Sequence, residues 1–242
     1  MTLSFSEYVD LPRHQTGGFD HADVHLESGY ICVAHTGLGT VEILDGEKAK
    51  HLVTVLGCPE ASGVVCAQKD NLFFAASRST GKILIIDALT YRVLLEVQAG
   101  SAPNGLAWDS KHKKLLIADV QDNKTRLVDT YSGKLVSSLQ LPGRLRWCAY
   151  SAIRDQFLVN VRDPAGVSIL APKNLLEKAL LPISVAGPHG LDIDDESGLA
   201  YVACDGGAMI VLDISSGREE AVIPIGGVPD VAWLNCQGHR LY

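Results

Sequence analysis

The chain has 242 residues, 47% hydrophobic and 20% charged, which is apolar enough for a domain-sized core and too uncharged for a disordered chain. Lys and Arg number 21 against 28 Asp and Glu, a net charge of -7. No basic face is available for a phosphate backbone, so nucleic acid is excluded as a partner. The apolar runs are strand-length, short of the ~18 residues of a membrane span, so no membrane span is expected. The first eight residues lack the basic and apolar regions of a secretory signal, which sets the expectation of a cytoplasmic protein. With 23 Gly, 2 Met and many short apolar runs, the composition points to an all-β chain. Cysteines at 32, 58, 66, 148, 204 and 236 are scattered, with no CxxC, and read as reduced, buried strand residues.

In chain order, residues 5–12 come first and read as a closing strand within an N-terminal segment 1–18. A repeat follows. The block VEILD ends at Asp45, ILIID at Asp87, TRLVD at Asp129, VSILA at Ala171 and MIVLD at Asp213, always 42 residues apart. Three more apolar blocks keep step. First strands are expected at 22–26, 63–67, 105–109, 146–150 and 190–194, and second strands at 30–35, 72–77, 115–119, 157–161 and 200–204. Fourth strands are expected at 51–56, 93–97, 135–141, 183–186 and 220–225. The acidic residue after the third strand opens a turn such as Asp129-Thr-Tyr-Ser-Gly133 or Asp213-Ile-Ser-Ser-Gly217. Its carboxylate can accept backbone N–H groups there while Gly takes φ > 0. These aspartates therefore read as structural.

Four short strands repeated every 42 residues predict a β-propeller. The expected organisation is one domain over 1–242, with blades from 19, 61, 103, 145 and 188. A partial blade is expected at 229–242, with its first strand at 229–233. A seven-bladed ring of such units needs roughly 294 residues, so the chain is expected to be a truncated form of a seven-bladed propeller.

The segments 102–119, 187–204 and 211–217 (VLDISSG) resemble the repeat of the YVTN-type propeller family, with its proline-glycine entry, paired strands and Asp-x-x-x-Gly hairpin. The resemblance spans residues 19–242 and implies the fold. Residues 103–108 (PNGLAW) are similar to the metal-binding Asn-Gly strand of the gluconolactonase and regucalcin family. That resemblance implies a divalent cation held by a Glu, an Asn and an Asp, with Asn104 matching the Asn. His189 and Asp230 stand in the equivalent places further on, and Glu60 or Asp20 substitutes for the Glu.

In a propeller, the loop entering the first strand and the loop after the second strand open on one face, around the channel mouth. The register places Asp20, Ser62, Asn104, Arg146, His189 and Asp230 at the first position, with His21 and Glu60 adjacent. His35, Arg78, Asp119, Arg162 and Asp205 take the second. These unlike polar groups suit a small-ligand site, although exposed loops are also simply polar. Arg78, Arg146 and Arg162 could grip a carboxylate or phosphate. Asn104, His189, Asp230 and Asp20 could hold a cation. His21 and His25 lie about 13 Å apart along a strand, too far for one ion. His14, His51, His112 and His239 read as surface or turn residues. Trp108, Trp147 and Trp233 read as first-strand packing.

No nucleophile motif, P-loop or HExxH is present, so no catalytic residue is assigned. The favoured reading is a non-enzymatic scaffold that binds a small molecule or a protein loop at the channel face. The alternative is a metal-dependent, lactonase-like hydrolase using Asn104 and His189 with an acidic residue. No cofactor is expected beyond that divalent cation.

Overall fold

A computed structural model describes Phe5 and residues 7–242. Among the described residues the secondary structure is strand and turn throughout, with no helix, and so no helix long and apolar enough to cross a membrane. The chain divides into two compact units, Met1–Val97 and Gln98–Tyr242.

The first unit holds two four-stranded antiparallel sheets. One is β1 (Ala22–His25), β2 (Tyr30–His35), β3 (Thr40–Asp45) and β4 (Lys50–Val55). The other is β5 (Ala61–Ala67), β6 (Leu72–Ser77), β7 (Lys82–Asp87) and β8 (Val93–Gln98). The second unit holds three more sheets and a terminal pair. The first of these is β9 (Pro103–Asp109), β10 (Lys114–Asp119), β11 (Lys124–Asp129) and β12 (Lys134–Gln140). Next come β13 (Leu145–Ser151), β14 (Gln156–Val161), β15 (Gly166–Leu170) and β16 (Glu177–Pro182). Then follow β17 (Pro188–Asp194), β18 (Leu199–Cys204), β19 (Ala208–Asp213) and β20 (Glu219–Pro224), and finally the pair β21 (Leu234–Asn235) and β22 (Arg240–Leu241).

In each sheet the strands pair in sequence order through hairpins. This is the four-stranded repeat that the 42-residue period predicts.

Burial follows strand order. β3 and β15 are buried at every residue, whereas the fourth strands β12 and β20 are mostly exposed. Strands covered on both faces read as continuous Val, Ile and Leu, and half-wet strands mix in Lys, Glu and Ser. The cores lie between neighbouring sheets. Ile43, Phe73, Leu84 and Ile86 build the one in the first unit. In the second unit, Leu116, Leu127, Leu145 and Phe157 form one core and Val167, Leu191, Val202 and Ile210 another. Each such side chain contributes roughly 2 kcal/mol by leaving water. Half-buried aspartates join successive sheets as well. Asp23 accepts the Cys66 N–H at 2.7 Å, and Asp192 accepts the Leu234 N–H at 2.6 Å.

The turn aspartates act as the sequence suggests. Asp87 accepts the Leu89 and Thr90 N–H groups at 3.0 and 2.6 Å, and Asp213 those of Ser215 and Ser216 at 3.1 and 2.7 Å. The residue that closes the turn has positive φ in all five sheets: Ala49 (45°), Tyr91 (60°), Gly133 (67°), Leu175 (57°) and Gly217 (72°). These positions are again 42 apart, so the turn keeps its backbone even where glycine is absent.

Three expectations change. The fourth strand of the fourth sheet is Glu177–Pro182, and residues 183–186 are irregular. The hairpin is no longer than its counterparts, since the Ala171 N–H bonds the Leu176 carbonyl as the Asp213 N–H bonds that of Arg218. The Glu and Lys that open this strand face water, which hid it behind the more apolar 183–186. In the terminal pair, residues 229–233 are not in a strand and pairing starts at Leu234. The closing strand expected at 5–12 falls partly outside the described residues, and its described part joins no ladder.

Candidate functional site

Each four-stranded sheet carries the same irregularity near the start of its first strand. Asp20 and His21 together face Ala34, whose N–H and carbonyl bond His21 and Asp20. Ser62 and Gly63 face Ala76, because the β5–β6 register slips between Ala61 and Val64. Asn104 is the extra residue between the pairs Pro103–Asp119 and Gly105–Ala118. Arg146 and Trp147 oppose Asn160, and His189 and Gly190 oppose Ala203. An extra residue bends the strand and re-aims its side chain, a device common beside functional sites. Five of the six polar residues aligned by the sequence register are thus bulge residues, whereas Asp230 lies outside any strand. Most lie inside the strand, one position after its start, rather than in the entry loop.

Space is tight where β9 and β17 run beside the next stretch of chain. A Cβ on Gly105 would lie 2.3 Å from the Arg146 carbonyl oxygen, and one on Gly190 2.6 Å from the Ala232 nitrogen. Glycine is therefore required at both places.

In the second unit β13 lies between β9 and β17, so Asn104, Arg146 and His189 fall on successive strands. The Asn104 side chain is buried, at 4% exposure, and makes no hydrogen bond among the described residues. His189 Nδ1 is 2.9 Å from Asp205 Oδ1, and its Nε2 is 2.6 Å from Asp230 Oδ1. Asp205 also pairs with Arg162. The result is a continuous chain of polar contacts, Arg162–Asp205–His189–Asp230. Asn160 Nδ2 donates to the carbonyls of His189 and Gly190 at 3.0 and 3.1 Å and fixes that bulge.

Asp119 is fully buried. One of its oxygens accepts the Ser101 and Ala102 N–H groups at 2.6 and 2.9 Å and Arg126 at 3.3 Å. The other accepts the Gln121 and Asp122 N–H groups at 2.9 and 3.2 Å. With five donors it is saturated as a structural acceptor.

Arg146 differs from these neighbours. Its guanidinium is half-buried, its Nε is sealed from solvent without a hydrogen-bond partner, and no described carboxylate lies within ion-pair distance. Arg126, Arg154 and Arg162 each carry an ion pair. Burial pulls the Arg146 pKa below its ordinary value, Arg144 and Arg162 add to the shift, and Asp230 and Asp205 oppose it. A desolvated cation beside other cations is a local excess of positive charge that an anion would relieve.

In the first unit Asp20 pairs with Arg78 and lies 3.3 Å from His21 Nε2. Ser62 donates to the Ala76 carbonyl at 3.3 Å. His35 is fully buried and sits in a polar relay. Its Nδ1 is 3.0 Å from Glu42 Oε1, to which Thr40 also donates at 2.6 Å. His51 and Thr54 meet Glu42 Oε2 at 2.9 and 2.6 Å, and His14 Nδ1 is 2.8 Å from His35 Nε2. Burial pushes the Glu42 pKa up, yet its hydrogen bonds to Thr40, Thr54, His35 and His51 together hold it below the ordinary carboxylate value. His14 and His51 therefore differ from the surface role expected of them. The signal for the relay was the charge inside the third strand, where VEILD carries Glu42 and ILIID and VSILA carry none.

As a cation site the set is incomplete. Among the described residues no group of three His, Cys, Asp or Glu side chains is placed to hold a metal ion, and both His189 nitrogens face carboxylates.

No family model matches the chain, and no curated protein matches it. Solved structures do match, 1687 chains of them, a breadth that marks a widely shared architecture. One is dihydro-heme d1 dehydrogenase NirN in complex with DHE, with a TM-score of 0.70 and 20% identity over 92% of this chain and 49% of the other. The fold is a β-propeller. The chain spans about half the length of that structure, and at this identity the likeness carries the fold alone.

Proposed function

We propose that the protein is a non-enzymatic propeller of the YVTN-repeat type that binds a small anionic ligand through Arg146. The carrying observation is the half-buried guanidinium with an unpartnered Nε and no carboxylate on it. Natural interiors pair such groups, so an arginine left open inside a bulge at an inner-strand end is suited to an external carboxylate or phosphate. Arg144 and Arg162 add positive charge, while the Asn104 amide offers both a donor and an acceptor. The matched NirN structure is a complex with DHE. Six unpaired cysteines, five of them buried, support work in a reducing compartment.

The test is thermal unfolding in increasing inorganic phosphate and, separately, succinate. Mass action makes the midpoint rise with the concentration of a bound anion. At least one probe is expected to raise it in the wild type and not in Arg146→Leu. Equal rises in both proteins, or no rise with either probe, would overturn the reading.

A lactonase-like cation site is the second reading, favoured by the buried, unbonded Asn104 side chain. It requires His189 to release one of its two carboxylates. Metal retained by the purified protein and lost in Asn104→Ala would establish it over the anion scaffold.

A further inference from the structure

The relay in the first unit ends on a segment that belongs to no sheet. Residues 14–18 lie across the β2–β3 turn, where the Gly37 N–H donates to the Gly18 carbonyl at 2.9 Å. A Cβ at Gly37 would lie 2.7 Å from the Thr16 oxygen and 3.0 Å from His14 Cγ. The Phe19 ring covers His35 with centroids 4.2 Å apart, and the His14 and His35 rings meet edge-on at 5.0 Å. Of these contacts, the one that responds to protons is His14 Nδ1 to His35 Nε2, at 2.8 Å.

We propose that the His14–His35 pair is a proton-gated latch that holds residues 14–19 on the first sheet. The Glu42 carboxylate only accepts, so the proton on His35 Nδ1 is committed to it. Its four hydrogen bonds keep Glu42 ionised in the range where imidazoles titrate. The two facing nitrogens, His14 Nδ1 and His35 Nε2, then share one proton, which either ring can donate. When both rings are charged neither has a lone pair to offer, and two cations stand at hydrogen-bond distance. Release therefore takes up a proton, and docking tightens as pH rises through the imidazole range and loosens below it.

The charged groups around the pair do not reverse that sign. Glu42 is the carboxylate that faces it, with His51 on the far oxygen. Arg13 precedes His14 along the segment. Asp20 and His21, where the segment rejoins the sheet, are engaged with Arg78 and with each other.

Hydrogen exchange of the Gly37 and Asp20 amides, corrected for intrinsic rates, tests the latch on the full chain between about pH 8 and about pH 5. Protection at Gly37 is expected to fall about tenfold or more towards the acid end, while amides of β7 hold theirs. In His14→Gln, which hydrogen-bonds but does not charge, the pH dependence should vanish. Flat wild-type protection, or an unchanged pH slope in His14→Gln, would overturn the proposal.

Discussion

Replacing Asp119 by Asn removes one acceptor oxygen from a fully buried group that serves five donors. If the new NH2 takes the side facing Gln121 and Asp122, two part-buried backbone N–H groups lose their partner and meet a donor instead. On the other side Ser101, Ala102 and Arg126 lose theirs. The first arrangement costs less. At about 1–3 kcal/mol for each buried unsatisfied group, the expected loss is about 2–4 kcal/mol. Urea unfolding should show it as a lower midpoint at unchanged slope. Asp122→Asn, at a partly exposed carboxylate, should cost under about 1 kcal/mol. An Asp119→Asn protein within about 0.5 kcal/mol of wild type would refute the assignment of Asp119 as a structural acceptor.

Ala49 sits at φ 45° in a turn whose counterparts include Gly133 at 67°. Ala49→Gly should therefore raise the melting midpoint, and Gly133→Ala should lower it, each by the equivalent of about 1 kcal/mol. Several carboxylates have lowered pKa values: Asp87 chiefly through the Thr90 N–H, Asp129 through Lys114, and Asp213 through the Ser216 N–H. Their stabilisation is present above the ordinary carboxylate range and is lost as pH falls through the folded-state values. Burial raises Asp192 in the opposite sense, but it stands against several. The urea midpoint should therefore drop between about pH 7 and about pH 3.5; a constant midpoint would contradict the hydrogen-bonded turns. Burial pushes the Cys58 and Cys204 thiols up to about 12 and raises those of Cys32, Cys66 and Cys148. Only exposed Cys236 should alkylate quickly in the native protein, and a second fast thiol would show that one of these strands opens.

The blades were legible because their burial is regular. Second and third strands covered on both faces must be apolar, and a closing turn that repeats its left-handed residue every 42 positions fixes the spacing. The outermost strand at Glu177–Pro182 was missed where water rather than core selects its residues. At the site, the register aligned Asp20, Ser62, Asn104, Arg146 and His189 without showing that all five lie in bulges, since a bulge depends on the pairing partner. Nor did residue type separate Arg146 from Arg162. The two look alike in sequence, and only geometry shows that Asp205 pairs with one while no carboxylate reaches the other. Glu42 illustrates the converse. Its charge stood out within an apolar strand, but its histidine partners come from β2 and β4.

The most direct test of the account is where an anion binds. Crystals of the chain soaked in selenate would locate it by the anomalous signal of selenium. The account predicts ordered selenate with an oxygen at hydrogen-bond distance from Arg146 Nε. Selenate bound only elsewhere, or a carboxylate of the protein itself on that guanidinium, would contradict it.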